Sequence, residues 1–163
     1  MKIINISKGL FTIVDEESLS LFSTFRWQSM YDRHTKQYYA RCHVKVDGKD
    51  SQQLIHRIIT RAKVGEIVDH INGNTLDNRK CNLRLCTNAQ NCRNKKKHHD
   101  NKSGFKGVKK HYNKWQAKIT KDYVDYHLGT FDTPLEAAKA YNKKAKILHG
   151  KFARLNVISL GKK

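Results

Sequence analysis

Asp69 and His70 place a carboxylate beside an imidazole at the end of residues 64–70, a segment whose composition predicts a strand. Alternation along a strand would send the two side chains in opposite directions, so one can bind a metal while the other approaches a substrate. Asn82 opens a facing strand, Leu83–Cys86, and Asn91 lies in the first turns of a helix expected after it. A hairpin packed on a helix could bring all four around one point. Carboxylate and carboxamide oxygens make a hard, weak site suited to magnesium or manganese. An imidazole can take a proton from water near neutral pH. Phosphodiester hydrolysis needs these parts. Residue types alone leave a second reading open, because an Asn-rich loop is ordinary turn chemistry.

The elements that must position these residues can be read from periodicity and punctuation. Residues 2–6, 10–14, 26–31 and 38–46 predict strands, residues 15–23 a short helix, and Val46-Asp47-Gly48 a turn. Residues 54–62 carry apolar positions at helical spacing. Thr87-Asn88-Ala89-Gln90 has the form of a capping box, so a short helix should run to about Lys95. Residues 96–103 are charged and featureless, a linker in composition. Residues 105–111, 115–121 and 126–131 predict three strands. Thr133-Pro134-Leu135-Glu136 is a second capping box, and it starts a helix with Leu135, Ala138, Tyr141, Ala145 and Leu148 on one face and Gly150 as its stop.

The string VDHINGNTLDNRKCNLRLCTNAQNCRN, residues 68–94, resembles the HNH homing endonucleases of phages and mobile introns. The resemblance rests on Asp69-His70, Gly73-Asn74 with Asp77-Asn78, Asn82-Leu83-Arg84, the Asn-rich run from Asn88 to Asn94, and the upstream segment from Leu54 through His56-Arg57 to Ile58. It implies a ββα-metal fold. In that fold Asp69 and Asn91 ligate one divalent ion, His70 is the general base, and Asn82 orients His70 through its side-chain carbonyl. Asn88 and Asn94 rank below Asn91 as helix ligands. His56 is read as a packed or capping histidine rather than a catalytic one. Some members of the family bind zinc through Cys pairs, which this chain lacks, so no zinc is expected.

Residues 104–156 resemble the APETALA-two (ethylene-response-factor) type of DNA-binding domain. The marker residues include Gly107-Val108, Trp115, Ala117, Leu128-Gly129, Phe131-Asp132-Thr133, Ala140-Tyr141 and Leu155-Asn156. The resemblance implies a three-stranded antiparallel sheet on one helix, with the sheet entering the major groove. The residues agree with a one-sided sheet. Val108, Ala117, Ile119 and Leu128 would face the helix, leaving Lys106, Lys109, His111, Lys114, Lys118 and Thr120 for DNA, with Trp115 and His127 beside them. Lys106 and Lys109 stand where the plant domains have Arg. Lysine lacks the bidentate fork that reads guanine, so the plant target sequence is not expected here. Arg93, Lys95, Lys96 and Lys97 extend the basic surface toward the linker.

Composition sets the partner. The chain has 163 residues with 33 Lys and Arg against 14 Asp and Glu, a net charge of +19. Its mean hydropathy is −0.76. Such charge calls for a polyanion, and duplex DNA is the expected partner. The basic run at residues 93–97 has no apolar face, so a membrane surface is not expected. No apolar run is long enough for a bilayer, and residues 1–11 lack a secretory pattern. Cys42, Cys81, Cys86 and Cys92 form no C-x-x-C pair and are expected to be reduced, buried or half-buried thiols.

These readings combine into an α+β protein with a β-rich region at 1–52, an HNH nuclease module at 53–96, a basic linker at 97–103 and a DNA-binding domain at 104–158. It is expected to be a cytoplasmic, phage- or mobile-element-encoded monomer that nicks duplex DNA using magnesium or manganese. Two alternatives stay open: a non-catalytic DNA-binding regulator, and an RNA-binding protein that stacks bases on Tyr112, Trp115 and Tyr126.

Overall fold

The chain opens with a hairpin, β1 (Lys2–Asn5) and β2 (Phe11–Val14), paired from Lys2 opposite Val14 to Asn5 opposite Phe11. The computed structural model describes residues 1–46 and 48–158, in two units that divide between Asn88 and Ala89. In the first unit, the short helix expected over 15–23 is split. Glu16–Ser18 forms a 3-10 turn and α1 covers Ser20–Thr24. A three-stranded antiparallel sheet follows, with β3 (Trp27–Asp32), β4 (Gln37–Val46) and β5 (Lys49–Leu54) in that spatial order. β5, KDSQQL, carries neither β-branched residues nor apolar alternation, so its sequence predicts no strand. It forms because β4 offers it a full row of backbone groups, with Arg41 opposite Leu54 through to Val46 opposite Lys49. In the turn expected between them, Gly48 takes a positive φ of 75°, while Asp47 lies outside the described residues.

Helix α2 (Ile55–Thr60) is shorter than its apolar pattern, because Arg61 enters the left-handed region at φ 52°. Arg57 then binds the loop that follows. Its guanidinium donates to the carbonyls of Glu66 at 2.6 Å and Lys63 at 2.7 Å. The loop is therefore committed to α2, Val64 stays exposed, and β6 covers only Ile67–His70. β7 (Leu83–Cys86) pairs with it antiparallel, Asp69 opposite Arg84 and His70 opposite Leu83. The core beneath is Ile6, Val14, Trp27, Ala40, Cys42 and Ile55, with Ile58, Ile59 and Leu76 packed against it. Burial pushes the Cys42 thiol pKa up. Cys81, on the 3-10 turn Lys80–Asn82, and Cys92, on the helix Asn88–Asn94, are expected buried or half-buried and are instead exposed.

Helix α3 (Asn88–Asn94) leads into the second unit. There β8 (Val108–His111), β9 (Lys114–Lys121) and β10 (Val124–Phe131) form an antiparallel sheet in the order β10-β9-β8. β8 starts later than expected because residues 101–107 form a turn instead. Its ends are tied by Ser103 Oγ and Asn101 Nδ2, which donate to the carbonyl of Val108 at 2.8 and 3.2 Å. Helix α4 (Pro134–His149) is capped as its sequence requires. Thr133 Oγ1 accepts from the Glu136 N–H, and the Glu136 carboxylate accepts from the Thr133 N–H, both at 3.2 Å. Ala137, Ala138, Tyr141 and Ala145 bury against Val108, Ala117 and Ile119.

Gly107 sets how closely this sheet and helix approach. A Cβ there would lie 2.1 Å from Tyr141 Cδ2 and 2.7 Å from the Lys118 carbonyl oxygen, at a φ of +73°. Gly104 has a similar φ of +79° with open space around it. Gly104→Ala therefore costs about 1 kcal/mol of backbone strain alone. Gly107→Ala adds overpacking and costs about 3 kcal/mol or more. Urea unfolding of the two variants checks this, with the difference between them as the decisive quantity.

Candidate active site

The site is built on the β6-β7 hairpin and the loop it encloses. Asp69 and His70 are both buried, at 5% and 6% exposure, and their side chains go to different neighbours. Asp69 meets its cross-strand partner: Arg84 Nε and Nη2 donate to Asp69 Oδ2 at 2.8 and 2.6 Å. Charge-assisted bonds of this length hold the carboxylate in one orientation. His70 turns toward His56 on α2, with ring centroids 5.1 Å apart and near-perpendicular planes, and toward Tyr39 on β4 at 6.4 Å. His56 is packed, as the sequence suggested. Burial, then the neighbouring His70 and Arg57, push its pKa down to about 3. Burial also lowers the pKa of His70, against the opposing pull of the Asn78 hydrogen bond, Asp69 and Asp77.

The enclosed loop is held together by its own side chains. Asn72 Nδ2 donates to Asp77 Oδ2 at 2.8 Å, and Asn72 Oδ1 accepts from the Asn74 N–H at 2.8 Å. Arg79 clamps Asp77, with Nε donating to Oδ1 at 2.7 Å and Nη2 to Oδ2 at 2.6 Å. These bonds hold the Asp77 carboxyl below the usual carboxylate range. The turn chemistry left open as a second reading of this loop is thus real for Asn72 and Asn74. It serves the site, because the same loop carries Asn78.

Asn82 does not touch His70 in the way the resemblance implies. It sits at the end of a 3-10 turn, Lys80–Asn82, which aims its amide back into the loop. There Oδ1 accepts from the Asn72 N–H at 2.9 Å, and Nδ2 donates to the Asp77 carbonyl at 2.7 Å. Both ends of the amide are spent on backbone, so Asn82 braces the two sides of the loop. The carboxamide beside His70 is that of Asn78, with Oδ1 at 3.2 Å from Nε2. Sequence reasoning gave no role to Asn78 or to Arg84, though both stand in the quoted motifs. Thr12, which holds Asn78 from β2, carries no local signal at all.

Asn91 is half-buried on α3 and belongs to the second unit. Of the expected DNA-binding residues, Lys95, Lys96, Lys97, Lys109, His111 and Lys114 are exposed. Lys118, Thr120 and His127 share the outward face of the sheet, where Lys118 opposes His127 and Thr120 opposes Asp125. Asp125 accepts from both Lys118 Nζ and Thr120 Oγ1 at 2.6 Å, which holds its own pKa down. His127 Nε2 lies at hydrogen-bond distance from Gln116 Nε2. Arg93 pairs with Asp122 at 2.9 Å.

Two residues expected to meet DNA are placed otherwise. Trp115 lies on the helix side of the sheet, packed against the Val108, Ala117, Ala137 and Ala138 cluster, because strand alternation opposes it to the outward Lys114 and Gln116. Lys106 Nζ donates to the carbonyls of Arg93 and Lys95, both at 2.6 Å, and so closes the end of α3. Partial burial and the charge of Arg154 bring its pKa down to about 8.

The model of the HNH endonuclease family matches residues 53–93. An uncharacterized HNH endonuclease of Acanthamoeba polyphaga mimivirus is 30% identical over 154 residues, covering 93% of this chain and 77% of that protein. Protein 3.8 of Escherichia phage T7 is 34% identical over 92 residues, covering 55% of this chain and 75% of its own. No solved structure matches. No helix among the described residues is long and apolar enough to cross a membrane.

Proposed function

The chain belongs to the HNH endonuclease family and is a hydrolase that cleaves DNA; from that premise we propose a metal-dependent enzyme of the homing type in which His70 is the general base. The observation that carries this reading is the buried Asp69-His70 pair, with the carboxylate fixed by Arg84 and the imidazole by Asn78. HNH nucleases generally use a divalent metal. The donor chemistry fits a hard ion, since the Asp69 carboxylate offers oxygen. Asp69 would hold magnesium or manganese. When bound, such an ion supplies stabilisation of charge developing on the leaving oxygen.

His70 would take a proton from water as the water oxygen bonds to phosphorus. The bond from phosphorus to the 3′-oxygen then breaks, its electron pair leaving on that oxygen, which takes a proton from solvent water; the products are a 5′-phosphate and a 3′-hydroxyl. The second unit would dock the nuclease on duplex DNA as an APETALA-two type module. The antiparallel sheet on α4, with Lys109, His111, Lys114 and Lys118 outward, supports this part of the reading.

One Asp-His constellation per chain favours a monomer that cuts one strand at a time. Supercoiled plasmid incubated with limiting protein and magnesium should give relaxed circles first, with linear DNA late, and the mapped ends should carry 5′-phosphate. Linear product without a relaxed precursor would overturn the nicking monomer. No product of either kind, with magnesium or with manganese, would overturn the base assignment.

A further inference from the structure

Behind His70 runs a buried chain of hydrogen bonds whose direction can be worked out atom by atom. Thr12 and Asn78 are both fully buried. Thr12 Oγ1 donates its single hydrogen to the Leu76 carbonyl at 2.9 Å. The same oxygen can then only accept, and it accepts from Asn78 Nδ2 at 2.8 Å. The reversed amide would set Asn78 Oδ1 facing the Thr75 carbonyl oxygen, which now lies 3.5 Å from Nδ2, and would withdraw the Thr12 hydrogen from Leu76. Asn78 therefore presents Oδ1, an acceptor, to His70 Nε2 at 3.2 Å. The backbone locks this register, with Ile13 N donating to the Leu76 carbonyl at 2.8 Å and Asn78 N to the Ile13 carbonyl at 2.7 Å.

We propose that Thr12 and Asn78 are positioning residues that fix the tautomer of His70, placing its hydrogen on Nε2 and its lone pair on Nδ1. The inference rests on His70 being the base, and it names Nδ1 as the atom that receives the proton of water. As the imidazolium forms, the bond from Nε2 to Asn78 Oδ1 becomes charge-assisted and shortens. The carbonyl of Leu76 thereby acts on His70 through two side chains, in the way outer partners orient functional histidines. Part of the base's chemistry is thus held by β2, which is far from the motif in sequence.

The test begins with the full-length, wild-type protein. Ring nitrogen-15 NMR at neutral pH should show His70 with a protonated-type Nε2 and a pyridine-type Nδ1, assigned by the signal lost in His70→Ala. Thr12→Val, which keeps the side-chain shape without the hydroxyl, should mix the tautomers. It should also slow single-turnover cleavage about 10- to 100-fold with DNA affinity unchanged. Thr12→Ser should restore both readouts. Hydrogen on Nδ1 in the wild type overturns the proposal, even where Thr12→Val fails to fold. So does Thr12→Val with the wild-type tautomer and rate, or Thr12→Ser as slow as Thr12→Val. The expected spectrum with full activity in His70→Ala would instead overturn the base assignment and leave the relay standing.

Discussion

Replacing His70 with Ala lowers the single-turnover rate of DNA cleavage by about a thousandfold, within the range usual for a positioned general base, which is about 4 kcal/mol of barrier. Affinity for DNA should change by less than about twofold, because the phosphate contacts are expected from lysines and arginines elsewhere. His70 is a cleaner target than its neighbour. Asp69→Ala also removes the ion pair with Arg84 across the hairpin, so a loss of activity there mixes metal binding with the loss of that contact. The pH dependence has a definite sign. A general base at His70 must be the neutral imidazole, and burial holds the His70 pKa below its ordinary value. The rate therefore stays on its plateau through neutral pH and falls only on the acid side of the usual histidine range. Excess chelator should abolish turnover while His70 remains neutral, which separates the two requirements. Full activity of His70→Ala, or of the wild type in chelator, would remove the mechanism proposed for this site.

Raising salt from 50 to 200 mM weakens duplex binding by about a thousandfold if about six phosphates are neutralised, with a log-log slope of about −0.9 for each. The net charge of +19 makes this dependence unavoidable for a duplex-binding chain, and the structure distributes it unequally. Lys109 and Lys114 are exposed on the sheet, and the ion pair of Lys114 with Asp132 is itself exposed, so it competes weakly with a phosphate. Lys109→Ala and Lys114→Ala should each remove about one unit of slope. Lys106→Ala should leave the slope unchanged and instead loosen the end of α3, since that amine binds the Arg93 and Lys95 carbonyls. Filter binding or fluorescence anisotropy across a salt series distinguishes the three. Equal slopes for Lys109→Ala and the wild type would take the sheet out of the DNA interface.

The sequence by itself determined the elements whose cause is local. The capping box at Thr133 and Glu136, the strand at Leu83–Cys86 and the inward set of Val108, Ala117 and Ile119 are set by residues within a few positions of one another. The Asp69-His70 pair stands out for the same reason, since the two residues are neighbours in the chain. Tertiary structure decided what those residues touch. β5 exists because β4 has backbone groups to satisfy, and β6 is short because Arg57 claims the loop before it. The partner of His70 is Asn78 and not Asn82, since the 3-10 turn before β7 aims the Asn82 amide at backbone. Lys106, a surface charge in the sequence, is an inward cap in the fold. Thr12 lies outside the motif and reaches the site only because β2 pairs with the loop at Ile13 and Asp77. Hydrogen bonds of buried groups must be satisfied by whatever the fold brings near, and that proximity is a property of the packed chain rather than of any stretch of it.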